Sequence, residues 1–312
     1  MKMTTYSPNG VLKATFSIVA ADPSAKQVGV AVQSKYFAVG AVVPWVRSGI
    51  GAVATQARGL ARYGPVLLDS LAEGRTPQAA LDEALASDQL ASERQIGVVS
   101  AEGETANYTG EDCLEWAGSR SGPGYSVQGN ILAGEAVVEE MANAFLKAEG
   151  TLAERLKVSL EAGQLAGGDK RGQQSAALLV EQLGYEDVGA EGIDRLVDLR
   201  VDDHIEPIKE LRRLFVLWQI NEMNEQAMLR YLDGDYSSAS AILVRANSQF
   251  PDTPNILYNL ACFECLSGLT GESLNHLKQA LSLEPSFKEM ARSDPDFEAI
   301  NRTSPFIDLT SD

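Results

Sequence analysis

The chain has 312 residues, 45% of them hydrophobic, which suffices for one large domain or for a medium domain plus a smaller one and is not the composition of a disordered chain. Its 26 basic against 43 acidic side chains leave a formal charge of -17, which repels a phosphate backbone and an anionic membrane surface at long range, so neither nucleic acid nor membrane is expected as a partner. No apolar run is long enough for a signal peptide or a membrane span, and the expected compartment is the cytoplasm.

Residues 1–14, MKMTTYSPNGVLKA, read as a leader. From Thr15 to about Val201, β-like runs alternate with helices. TFSIVAA, QVGVAVQS, AVGAVVPWV and GIGAVATQA are rich in Val and Ala and are separated by Gly, Pro or charge, which predicts consecutive antiparallel strands. The helical stretches YGPVLLDSLAEG and TPQAALDEALAS follow, the second with Thr76 as N-cap and Pro77 at the first helical position. RQIGVVSAEG and ETANYTGE read as a hairpin turning at Glu102 and Gly103. After YSVQGNIL come two amphipathic helices, GEAVVEEMANAFLKA and TLAERLKVSLEAGQLA, then the strands QSAALLVEQ and DRLVDLRV. This order predicts an α+β domain over 15–204 in which two packed sheets are flanked by helices. An exposed apolar strand at AVGAVVPWV would call for a second copy, hence a homo-oligomer, unless the run is buried inside its own sandwich.

DDHIEPIKELRRLFVLWQINEM reads as a connecting helix, 205–221, with Pro207 in its first turn. Over 222–312 a repeat governs the pattern. Leu232, Gly234, Leu243, Ala246 and Pro251 recur as Leu266, Gly268, Leu277, Ala280 and Pro285, an offset of 34 residues, the period of a tetratricopeptide helix pair. A small all-α helical-repeat domain is expected there, closed by Phe297 and Phe306. Because two repeats bury little core alone, this tail is expected to pack on another surface or to present a concave groove between Leu229 and Leu277 to a protein partner, over about 222–290. Cys262 and Cys265 in CFEC read as helix-packing residues rather than as metal or redox ligands.

The chain has only two histidines, His204 and His276, and no G-x-S-x-G, since GSRSG has Arg120 where the serine would stand. No zinc-protease, EF-hand, P-loop or dinucleotide pattern occurs, and no cofactor is expected. The acidic cluster Asp198, Asp202, Asp203 with His204 has two readings: a hard-cation site, or a solvated strand end paired through Arg200 with Asp203 capping the next helix. A catalyst that needs no histidine is the N-terminal nucleophile, whose own α-amine, with a reference pKa near ~8, takes the proton. Such a site needs a nucleophile at the start of a strand, a cation on the neighbouring strand and backbone N–H groups for the oxyanion. Thr15 opens the first strand, Lys35 stands at the end of the next, and the turns TQARG and QGNILAG offer donors.

TFSIVA, VGVAVQSKYFAVGAVVPWVRSGIGAVATQA, YGP, CLEWAG, YSVQGNILAG, LEAGQLAGGDKRGQQSAALLV and VDLRVDDHIEPIKELRRL together resemble the DUF1028 family, from Thr15 to about Leu214. That resemblance implies a four-layer αββα sandwich of the N-terminal nucleophile hydrolase type. Through a looser likeness to proteasome-type subunits it implies Thr15 as nucleophile, Lys35 or Ser34 as the polar group on the second strand, and Asp169 with Ser175 orienting the amine. Gln56 and the Gly129 to Asn130 turn would lie near the oxyanion. The chain departs from the family pattern in carrying fourteen residues ahead of the TFSIVA segment, so Thr15 has a free amine only if the Ala14–Thr15 bond is cleaved. Two functions follow as expectations: an amidohydrolase acting on a small amide or peptide, or an inert hydrolase-like domain that serves as a binding scaffold through its repeat tail.

Overall fold

The computed structural model describes residues 15–185 and 192–311; the leader read from the sequence, 1–14, lies outside them. The chain divides into two compact units, Met1–Phe215 and Val216–Asp312. No helix among the described residues is long and apolar enough to cross a membrane.

The first unit is α+β. Its strands are β1 (Thr15–Asp22), β2 (Gln27–Ser34), β3 (Pro44–Arg47), β4 (Gly51–Ala57), β5 (Arg94–Ser100), β6 (Thr105–Thr109), β7 (Gly118–Gly122), β8 (Tyr125–Asn130), β9 (Ser175–Gln182) and β10 (Arg195–Val201). They form a six-stranded sheet in the order β10-β9-β2-β1-β8-β7 and a four-stranded sheet in the order β3-β4-β5-β6. Every pair is antiparallel.

Side chains alternate across a strand, so each face of β1 has one task. Phe16, Ile18 and Ala20 point to the helix layer made by α3 (Ala136–Lys147) and α4 (Leu152–Leu165). There Gly163 and Gly168 give the Phe16 ring its space, and a methyl group at Gly29 would strike Leu156. Val19 and Ala21, with Val28, Val30 and Val32 of β2, instead meet Ala52, Ala54 and Val99 of the four-stranded sheet. The far face of that sheet, Val53, Ile96 and Val98, is covered by Tyr63, Leu67, Leu68 and Leu71 of α1 (Tyr63–Ala72) and Leu81 of α2 (Pro77–Ala86). Burying each of these branched side chains contributes roughly 1.5–3 kcal/mol. Helix ends follow the sequence: Thr76 accepts the Ala79 N–H with Pro77 at N1, and Thr151 with Glu154 closes a capping box on α4.

The run AVGAVVPWV is not one strand. Ala38 takes a left-handed conformation (φ 51°), residues Val39–Ala41 make a 3-10 turn, and only Pro44–Arg47 pairs with β4. The reason is partly local, since the Val39 N–H donates to Ser175 Oγ (3.0 Å) instead of to a ladder. Val39 and Val43 are buried between the two sheets, so the apolar run is covered within its own sandwich. GSRSG, unremarkable in the sequence beyond its lack of a nucleophile, is the edge strand β7.

The division between the units falls inside α5 (Pro207–Leu232). The second unit continues with α6 (Tyr236–Gln249), α7 (Pro254–Leu266), α8 (Thr270–Leu283), α9 (Phe287–Ser293), a 3-10 turn at Pro295–Phe297 and α10 (Ser304–Thr310). Helices α6 and α8 are both 14 residues long and begin at 236 and 270, in step with the sequence repeat. α7 is buried all round, from Ile256 to Cys265 with only Asn259 partly open. The expected open groove along this helix is therefore filled: the face bearing Tyr258 and Cys262 is covered by residues 287–297.

Candidate functional site

Strand register brings four of the candidate residues into a line. Thr15 lies directly opposite Asn130 on β8 and Ser34 on β2, and Ser34 lies opposite Ser175 on β9. Opposed residues share a face, so Asn130, Thr15, Ser34 and Ser175 form a row across one end of the six-stranded sheet. All four are buried, and the Thr15 hydroxyl donates to Ser34 Oγ at 3.1 Å. Ser175 accepts the Val39 N–H and donates to the Tyr36 carbonyl, which fixes the loop after β2.

Asp169, on the loop after α4, is also buried. Its carboxylate accepts the Lys35 backbone N–H (2.9 Å) and the Arg171 backbone N–H (2.9 Å), and pairs with the Arg171 guanidinium (3.0 Å). It thus ties the end of β2 to the 169–171 turn. The Lys35 side chain leaves the row: it is exposed and its ammonium donates to the Gln173 carbonyl at 2.9 Å. The structure brings Lys35 to the site through its backbone and not through its charge.

Beneath Thr15, between the sheets, lies a layer of buried amides. Gln56 Nε2 donates to the Thr15 carbonyl (3.2 Å), the Gln128 carbonyl (3.3 Å) and Gln95 Oε1 (2.9 Å), while its Oε1 accepts the Ser17 hydroxyl (2.6 Å). Gln95 Oε1 also accepts Asn130 Nδ2 (3.0 Å), and its own amide donates to the Gly129 carbonyl (2.8 Å), the Gly118 carbonyl (3.2 Å) and Thr109 Oγ1 (3.0 Å). Gln128 Nε2 holds Ser17 Oγ (2.7 Å), and Ser126 donates to Gln128 Oε1 (3.1 Å). Gln56 and Asn130, expected near an oxyanion, have their amide donors engaged in this layer. A Cβ at Gly97 of β5 would collide with the Gln128 amide, so that position leaves the room the amide occupies.

Gln95 and Gln128 were not among the sequence candidates. The signal was present: β4, β5 and β8 each carry one glutamine, and all three strands are buried along their whole length. What the sequence could not supply was their convergence from three strands of two sheets.

The alternative cation site does not assemble. Asp202, Asp203 and His204 are exposed; His204 Nδ1 accepts the Glu206 N–H at the start of α5, and Asp203 accepts Gln174 Nε2. Arg200 pairs with Asp198, whereas Asp203, expected to cap the next helix, accepts the Gln174 amide, and it is His204 that accepts the N–H at the helix start. Among the described residues, one set of ligand-type atoms converges within 4.8 Å, that of Cys262, Asp294 and Asp296 in the second unit, and each of these atoms has a protein partner.

Two antiparallel sheets, face to face and each covered by helices, with a threonine-headed polar row at one sheet end, define the class as an α+β sandwich with a buried strand-end site. The chain belongs to DUF1028, a family of unknown function, whose model matches residues 15–211. It is similar to the crystal structure of protein SPO2555 from Silicibacter pomeroyi, which carries the same family model. The two are 29% identical over 65% of this chain and 84% of that one, with a TM-score of 0.59. No curated protein matches the chain.

Proposed function

We propose that residues 15–204 form a four-layer αββα domain of the N-terminal nucleophile type that hydrolyses a small amide or peptide C–N bond, with Thr15 as nucleophile once residues 1–14 are removed. The observation that carries this reading is the position of Thr15: first residue of a central strand, its hydroxyl 3.1 Å from Ser34 Oγ, its carbonyl held from below by Gln56. Ser34 and Gln56 hold the Thr15 hydroxyl and carbonyl in place; attack requires that cleavage uncover the hydroxyl and that its proton turn from Ser34 Oγ to the freed amine.

The chemistry balances without a cofactor. The freed α-amine takes the proton of the Thr15 hydroxyl as Oγ bonds to the substrate carbonyl carbon; the resulting ammonium then protonates the leaving amine as the C–N bond breaks. The Thr15 ester is hydrolysed by water activated by the same amine. In this reading Ser34 orients the hydroxyl, and Asp169 and Ser175 hold the two loops that border the row. Gln56 and Asn130 set the floor rather than donate to the oxyanion. For Lys35 to lower the amine pKa, its ammonium must leave the Gln173 carbonyl.

The test is the intact mass and N-terminal sequence of protein purified without a tag, followed by an amide and peptide screen with Thr15→Ala as control. A species starting at Thr15 with turnover lost in Thr15→Ala is expected. A uniform full-length population, or equal turnover by Thr15→Ala, overturns the reading. One observation favours a second reading, an inert domain whose helical tail serves a partner: in the full-length chain Thr15 is fully buried and its nitrogen is an amide. An unprocessed population with no amide turnover is the result that reading requires.

A further inference from the structure

Helix α7 carries a single charged residue, Glu264, and buries it in a stretch that is otherwise uncharged. A carboxylate taken out of water is strongly unfavourable unless a cation meets it. That partner comes from α8, where His276 Nδ1 lies 2.8 Å from Glu264 Oε2. Two neutral hydrogen bonds flank the contact: the Leu269 N–H donates to the Glu264 carbonyl (2.8 Å), and the Ser273 hydroxyl to the Ala261 carbonyl (2.8 Å). Other charges do not relieve the carboxylate. Glu272, one turn before His276, acts on it unfavourably, and Lys278 lies on the exposed face of α8. Arg230 of α5 and Arg245 of α6 are exposed, and Lys288 and Arg292 of α9 donate to the Ser311 and Thr310 carbonyls. Asp294 and Asp296 act on the Cys262 and Cys265 thiols. Among the described residues, His276 is the one cation that pairs with Glu264.

An imidazole is the cationic side chain that gives up its charge near neutrality, between about pH 5 and 8. A lysine or arginine at 276 would keep the carboxylate compensated throughout that range. We infer that Glu264 and His276 form a proton-operated clasp between α7 and α8, tight while the pair holds a proton and loosened once it has left, when the buried carboxylate keeps at most a neutral N–H donor. The His276 side chain is 22% exposed, which gives the proton a path to water that Glu264, 5% exposed, lacks. Burial pushes the Glu264 carboxyl above its ordinary 4.5, against the opposing hydrogen bond and charge of His276. With that direction the folded chain keeps a proton that the unfolded chain has released, so the contribution of the pair is lost as pH rises. The hold of α8 on α7 is thereby the part of the second unit that responds to the pH around it. This inference is independent of any chemistry at Thr15.

The test is hydrogen exchange on the full chain at about pH 6 and about pH 8.5, either side of most of the imidazole range, with each rate expressed as protection relative to an unstructured chain at the same pH. Protection of the α8 amides is expected to fall at least about tenfold from the lower pH to the higher, the equivalent of one pKa unit lost from the pair. Amides of β1 and β2 in the first unit serve as the reference and are expected to hold. In Glu264→Gln, which keeps the shape and removes the charge, the fall in α8 is expected to vanish. Equal protection of α8 at the two pH values in the wild type overturns the inference, and that measurement needs no variant to fold. A fall shared equally by β1 and β2 overturns it as well, as does a fall of the same size in Glu264→Gln.

Discussion

Along one face of β1 the side chains read Thr15, Ser17, Val19, Ala21, and the space between the sheets changes character midway. The Val19 end is an apolar seal with Val30 and Val99; the Thr15 end is a layer of glutamines, an asparagine and hydroxyls, equally buried. The apolar end gains stability from area alone and tolerates any arrangement of about the right volume. The amide end gains little net energy per hydrogen bond, but each bond is directional, and every donor removed leaves a partner stranded. The difference teaches that one half of the layer supplies cohesion and the other supplies position, and position is what the nucleophile proposed above would need.

The largest expected effect comes from stranding the amide end. Gln56→Leu removes one hydrogen bond each from the Thr15 carbonyl, the Gln128 carbonyl, Gln95 Oε1 and the Ser17 hydroxyl, although Gln95 Oε1 keeps Asn130 Nδ2 and Ser17 Oγ keeps Gln128 Nε2; at about 1 kcal/mol each, a loss of about 4 kcal/mol is expected in urea unfolding. At the apolar end Val30→Ala is expected to cost only about 2 kcal/mol, a transfer term plus a small cavity, with the site geometry kept. If the two variants lose the same stability, the contrast between the halves fails.

A charged group outside the layer sharpens the point. Arg94 beside Asp88, with desolvation opposing and Leu90 N–H and Tyr63 OH assisting, holds that carboxyl down at about 2, below its ordinary 3.8. A depressed carboxylate stabilises fully above its unfolded pKa, and its contribution disappears as pH falls from about 4 to about 2. Asp88→Asn is expected to lose about 2 kcal/mol at neutral pH and to flatten stability over that acid window. The amide layer, made of groups that do not titrate, keeps its contribution at every pH. Least costly to stability is Thr15→Val, nearly isosteric and lacking the hydroxyl's bond to Ser34, expected within about 1 kcal/mol of wild type by thermal unfolding. Any function that depends on the hydroxyl would be lost in the same variant.

Much of the fold was legible, for physical reasons that are local. Alternation in TFSIVAA and QVGVAVQS defines two-faced strands, Thr76-Pro77 marks a helix start, and Gly103 (φ 89°) turns the β5–β6 hairpin. AVGAVVPWV misleads because strand propensity cannot register that the Val39 N–H has a better acceptor in Ser175, 136 residues away. The family resemblance supplied Thr15, Ser34, Asn130 and Ser175, and strand register shows why they are neighbours. The direction of Lys35 and the roles of Gln95 and Gln128 were not legible. A side chain's heading depends on which carbonyls the tertiary fold leaves within reach, and those come from loops and strands far along the chain.

The hydrogen at the α-carbon of Gly97 has a consequence that reaches past this one molecule. Because a methyl there would meet the Gln128 amide, Gly97→Ala, by any substitution table a mild exchange in the middle of a strand, should behave as if it had been made in the site itself. Screens for essential positions in these proteins would then flag a residue that has no side chain at all, and the flag would mark the mould in which Gln128 is cast.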